Sequence, residues 1–263
     1  MALSKTARTM VAATMGCLAL GACADDEDDT QPPRADAGLD AGGGDGGIDA
    51  GDAATDAGLG DAGVDGGADA GTSPLTSFFV TSDRSTTGNL GGLAGADARC
   101  QRLAAAVGLG AKTWRAFLSA ENAGNPIHAR ERIGDGPWFN ARGVLLAQDL
   151  DALFARTGDA AVFLDERGAR INGQWEGSPT PNEHDILTGS DPAGRVVPGQ
   201  TCADWTSSAP APAVAKVGHS DGLGPMRNGA APFSSWQSSH ESAGCDNTAP
   251  RGGAGKIYCF AAD

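Results

Sequence analysis

The sequence carries no run of basic residues, and that absence sets its first limit. Without a Lys/Arg stripe there is no electrostatic footprint for a phosphate backbone, so nucleic acid is not an expected partner. Zinc-ligand spacing is missing too. No C-x₂-C pair occurs, and His128, His184, His219 and His240 show no i, i+4 relation, so spacing predicts no metal site. Aromatic residues make up only 5%, with a single Tyr, and every one lies within residues 75–263. The apolar run Met10–Ala22 is too short to span a bilayer comfortably.

The formal net charge of -14 is unevenly spread. Residues 24–73 hold 14 acidic groups and one basic group, Arg34, whereas residues 74–263 hold 19 acidic and 16 basic groups. Ahead of the acidic stretch, Lys5 and Arg8 supply a positive segment and Met10–Ala22 an apolar one, ending in Leu20-Gly21-Ala22-Cys23. This is the pattern of an export signal and resembles a bacterial lipobox. Residues 1–22 are therefore expected to be removed and Cys23 lipidated, leaving the protein anchored to a membrane without spanning it. Residues 23–74, rich in Asp, Ala and Gly, have almost nothing bulky to bury and are expected to form a disordered, self-repelling tether. Asp recurs about every four residues there, which would stack like charges on a helix. The nine-residue period of a calcium-binding β-helix is not sustained.

Residues 75–263 are long enough for one domain with a sizeable core. "SFFVTS" and "TWRAFLS" predict short strands, the second with Trp114, Ala116 and Leu118 on one side. "GLAGADARCQRLAAAVGL" predicts an amphipathic helix with Ala96, Cys100, Leu103 and Val107 on one face, and "GVLLAQDLDALFA" a strand followed by a helical turn. Short apolar pieces among Gly-, Pro- and Ser-rich loops follow, such as "HDILTGS", "PAVAKVGHS" and "KIYCFAA". The fold class predicted is α+β, with loops that need stapling.

Four cysteines remain in this domain: Cys100, Cys202, Cys245 and Cys259. Export favours disulfides, and of the three possible pairings the spacing suggests the nested one. Cys100–Cys259 would join the first helix to the last strand, and Cys202–Cys245 would close the loop-rich region between them. Loop-closure entropy assigns each bond on the order of 4–5 kcal/mol at most.

Together, "LGGLAGADARCQRLA", "WRAFLS", "LTGSDPAG", "CADWTSS" and the closing "GGAGKIYCFA" resemble the bacterial endostatin-like, C-type-lectin-like domain found on exported lipoproteins. The resemblance covers residues 77–262. It implies a mixed fold with nested disulfides and recognition of glycans, matrix or other proteins through the loops between Cys202 and Cys245. Calcium-dependent lectins use a Glu-Pro-Asn or Gln-Pro-Asp loop. Here Thr180-Pro181-Asn182 lacks the acid, and Ala203-Asp204-Trp205 departs from the usual Trp-Asn-Asp strand. Asn182, Glu183, Asp185 and Asp204 remain the oxygen donors a calcium ion would need, with Trp205 as an aromatic platform beside them. Loop polarity and a core Trp205 are the simpler reading, so no cofactor is required.

"VGHSDG" (217–222) matches the G-x-S-x-G nucleophile elbow. The residues after Ser220, "GLGPMRNGAAPF", cannot form the helix an elbow requires. Asp221 is the only acid between Ser220 and His240, and it adjoins the serine. Both glycines therefore read as turn residues, and the chain is not expected to be an enzyme. The sequence favours an envelope lipoprotein, in the outer membrane or at the cell surface, that presents a binding domain to glycan or protein ligands. A serine hydrolase using Ser220 and His240, or a structural envelope component, are the alternatives.

Overall fold

The computed structural model describes residues 71–263 except Ser178. The signal segment, Cys23 and nearly all of the expected tether lie outside the described residues. In chain order the regular elements are β1 (Phe78–Val80), α1 (Gly92–Ala106), β2 (Trp114–Ala116), β3 (Trp138–Phe139), β4 (Leu145–Ala147), α2 (Leu150–Phe154), β5 (Asp185–Leu187), α3 (Cys202–Trp205), β6 (Lys216–His219), β7 (His240–Glu241) and β8 (Gly253–Ala261). The architecture is α+β, as the sequence predicts.

One sheet runs β1-β8-β5-β6-β7, with β2 also paired to β8, and β3 with β4 forms a separate two-stranded ribbon. Strand β8 is the hub. It pairs antiparallel with β1 and β2 and parallel with β5. All nine of its residues are buried. A strand covered on both faces reads as a continuous apolar run, and "IYCFA" (257–261) is one. Alternation splits its side chains between two cores. Ile257, Cys259 and Ala261 enter one, with Phe79, Trp114, Leu118 and Trp205. Tyr258 and Phe260 enter the other, with Phe78, Phe117, Trp138, Phe163 and Trp236.

Helix α1 covers the first core. Ala96, Cys100, Leu103 and Ala104 face inward, so the expected stripe holds, and half-buried Val107 packs against its end. The helix stops where Gly108 adopts φ +81°, a left-handed residue of the kind that closes helices. Side chains fasten α1 in place. Arg99 donates to the Asp83 carboxylate at 2.6 Å and to the Gly255 carbonyl of β8 at 2.7 Å, and Arg102 reaches the same Asp83 at 2.5 Å.

Both disulfides form in the nested pairing. Cys100–Cys259 joins α1 to β8 with the Cα atoms 5.5 Å apart, and Cys202–Cys245 closes the later loops with a Cα separation of 5.7 Å. Both separations are ordinary for unstrained bridges. Residues 202–205 have φ of 47°, 51°, 55° and 67°, so α3 is a left-handed turn. That conformation costs L-residues roughly 1–2 kcal/mol each. It is held by the Cys202 bridge, by the burial of Trp205, and by the Thr201 side chain accepting from the Asp204 amide.

The two glycines of "VGHSDG" differ in purpose. Gly222 has φ +67° and is a turn residue, as expected. Gly218 lies inside β6 and is there for close approach, because a Cβ would collide with the carbonyl of Trp236 packed against the strand. Gly218→Ala is therefore expected to cost at least about 2 kcal/mol through overpacking of backbone on backbone, read as a lowered denaturation midpoint at unchanged slope. A second expectation concerns acid. Burial raises the Asp83 carboxyl, but the bonds and charges of Arg99 and Arg102 outweigh it and hold it below 3.8. Its stabilisation is complete above pH 3.8 and disappears as pH falls through the lower folded value. Thermal melts across that window should show wild type losing its advantage over Asp83→Asn.

Candidate functional site

Three of the four histidines in the described chain meet at the far end of the sheet from β1. The register explains how. Asp185 on β5 stands opposite His219 on β6, and Val217, two residues back on β6, stands opposite His240 on β7. Side chains two apart in a strand, and those directly cross-strand, share a face. Asp185, His219 and His240 therefore project to one side. His184 precedes β5 and folds back over it, its ring stacked on His219 with centroids 4.2 Å apart.

The Nε2 atoms of His184, His219 and His240 lie 3.3, 3.3 and 3.5 Å from a single oxygen, Oδ1 of Asp185. Asp185, His184 and His219 are at least 97% buried, and His240 is half-buried. Despite the short distances, Asp185 Oδ1 and both ring nitrogens of His219 lack a hydrogen-bond partner. The outer nitrogens of the other two rings are held. His184 Nδ1 lies 2.8 Å from Asp221 Oδ1, and His240 Nδ1 lies 2.9 Å from the Glu241 carbonyl. Asp221 is fixed in turn by the Leu223 amide at 3.1 Å. Burial pushes the Asp185 carboxyl up, and the facing imidazoles, His219 and His240 foremost, outweigh it and hold it low. Burial lowers His240, and the Asp185 carboxylate outweighs that and raises it.

The cluster forms the floor of a cavity of about 370 Å³. Its walls are Gln174, Asn182, Pro225, Phe233 and Arg251, with the three imidazoles. Phe233 lies parallel to His219 at 5.8 Å between centroids. Arg251 is exposed and places a cation at the rim. His219, Pro225, Phe233 and His240 all belong to the segment that Cys202–Cys245 closes.

The oxygen donors expected for calcium do not converge. Only Asn182 and Asp185 lie near the cavity. Glu183 turns away to pair with Arg84 and with Lys256, the latter at 3.6 Å. The two oxygens of Asp204 accept from the amides of Glu121 and Asn122 at 2.6 and 2.9 Å. Trp205 is fully buried, with its Nε1 donating to the Ser119 carbonyl at 2.8 Å, so it serves the core and touches no ligand. A calcium site wants six to eight oxygens, and this floor offers mainly nitrogen, so the donor set does not fit that ion. Ser220 is buried, and its backbone amide donates to the His184 carbonyl. No hydrogen bond joins its hydroxyl to an imidazole among the described residues. His240 turns its Nε2 to Asp185 and its Nδ1 to Glu241 instead.

Sequence spacing misses the histidine cluster because its members are 35 and 21 residues apart and meet only through strand register. One local signal was available. "HDIL" and "KVGH" each place a histidine at the end of a short apolar strand. Comparison with protein-family models and with curated proteins finds no match.

Asp221 has the most partners in this region, which makes it a discriminating target. Asp221→Ala leaves His184 Nδ1 and the Leu223 amide without their acceptor and should cost about 1–3 kcal/mol, whereas Asp221→Asn retains an acceptor and should lose less. Urea denaturation of both variants measures the difference.

Proposed function

We propose that the protein is a binding module of the lectin-like, endostatin-like class, exported, anchored at the cell envelope through a lipidated Cys23, and carried on its acidic tether. The cavity at His184, His219 and His240 is its recognition site. The observation that carries this reading is the origin of the cavity walls: half of the lining residues come from the loop that Cys202–Cys245 closes. A covalently closed loop on a rigid sheet presents a ligand face already ordered, which lowers the entropy lost on binding.

The chemistry of the walls narrows the ligand. Phe233 offers an apolar face, Arg251 a cation, and Gln174 and Asn182 neutral hydrogen-bonding groups. A sugar or peptide with an anionic group meets all three. Met226 is 96% exposed next to Pro225 at the mouth, an apolar contact for the part of the ligand outside the cavity. The Ser220–His240 hydrolase reading has no such support.

Glycan and protein arrays probed with the full chain test the proposal. A ligand should emerge whose affinity falls by roughly tenfold or more in both Phe233→Ala and Arg251→Ala, the loss typical of a contact residue at a small interface. Failure to find any ligand, or a ligand that both variants bind normally, overturns it.

A further inference from the structure

Asp185 Oδ1 is a buried acceptor with no donor aimed at it, and three imidazole nitrogens crowd the same point. Buried polar atoms in native proteins find partners, so a group of this kind requires an explanation. Protons explain it poorly. With the His184 Nδ1 proton donated to Asp221, its Nε2 turns a lone pair toward the carboxylate oxygen. A lone pair facing a lone pair at 3.3 Å repels unless a cation lies between them.

The geometry points to a transition-metal site of the zinc class, held by His184 and His219 through Nε2 and by Asp185 through Oδ1, ligand atoms that all lie within 4.8 Å of one another. Four features agree. Ligand atoms bound about 2.0–2.1 Å from a tetrahedral ion stand roughly 3.3–3.4 Å from one another. The two nitrogen–oxygen separations within the trio are both 3.3 Å. The donor set is two imidazoles and one carboxylate, which suits zinc, copper, nickel or cobalt and not calcium or magnesium. The outer nitrogen of His184 bonds to a carboxylate, the outer-shell pattern that orients metal-binding histidines. Finally, His219 is almost wholly buried with both nitrogens unpartnered, a costly arrangement for a polar ring that binding one ion would relieve.

Three protein ligands leave one tetrahedral position open, with His240 standing beside the trio. The ion staples β5 to β6, strands only three and four residues long. It also sets the floor of the cavity. This inference stands on its own geometry and is separable from the ligand reading: a metal site with no array ligand, or an array ligand with no metal, would each be decisive for one and leave the other intact.

The test is zinc titration of the chelator-treated full chain by calorimetry, with thermal melts in parallel. One ion per chain should bind tightly and raise the melting temperature, and cobalt should give the intense visible bands of a tetrahedral complex. Asp185→Asn and His219→Ala should each weaken binding at least about a hundredfold while keeping the native near-ultraviolet dichroism, and His240→Ala, which removes a ring outside the trio, should weaken it less. The acidic tether is common to all these proteins, so any weak binding by its aspartates cancels in the comparison. Absence of a stoichiometric tight site in the wild type, or wild-type affinity in folded Asp185→Asn or His219→Ala, overturns the assignment.

Discussion

The double-sided burial of β8 is the constraint on which the rest of this domain depends. One strand of nine residues has partners along both edges and a core on each face. Its neighbours β1 and β2 are only three residues long and could not hold together alone, since short isolated pairings are marginal in water. They become stable because β8 supplies their ladder and because Phe78, Phe79, Trp114 and Phe117 add large apolar area to the two cores. Cys259 sits toward the C-terminal end of this strand, fully buried, so the Cys100 bridge fixes the helix there. Arg99 makes a second attachment at Gly255, near the strand's other end.

The position of the site follows from that scaffold. Parallel pairing of β5 with β8 sets the height at which Asp185 emerges, and antiparallel pairing with β6 brings His219 opposite it. β7 then has only to place His240 across from Val217. Four side chains from three short strands and one preceding residue meet without any of them lying on a long element. Gly218 is part of the same arrangement. By lacking a side chain it lets the Trp236 backbone lie against β6, and that segment leads directly into His240. A methyl group there would displace two of the three imidazoles together.

Much of the fold was legible in the sequence because its signals are local. The stripe of Ala96, Cys100 and Leu103 marks a helix, the alternation of Trp114, Ala116 and Leu118 marks a strand, and both hold in the structure. The nested disulfides were legible from spacing. The site was not, because its information is non-local. His184, His219 and His240 look like isolated loop residues until register is known, and a one-residue slip of β6 would turn His219 to the opposite face. The acidic residues that cluster in sequence do not cluster in space. Asp204 and Glu183 were already committed to backbone amides and to Arg84 and Lys256, commitments made by residues distant in the chain. The neighbours of Gly218 suggest a turn, whereas the group that requires it is Trp236, eighteen residues on.

The Cys202–Cys245 bridge closes a segment containing one four-residue strand, one two-residue strand and otherwise turns. A loop so poor in ladder hydrogen bonds would ordinarily be mobile. It is ordered here by three kinds of constraint acting at different points. The disulfide fixes its ends, Trp236 anchors its middle in the aromatic core with its Nε1 bonded to the Leu153 carbonyl, and the Asp185 cluster gathers its two histidines. The first two are complete within the protein chain. The third leaves a carboxylate oxygen and two ring nitrogens unpaired, so it is the weakest constraint and the one most responsive to what the chain encounters in solution. A face whose walls are covalently fixed and whose floor is completed by an ion would be rigid in shape and conditional in assembly, because the cation has to come from the surroundings.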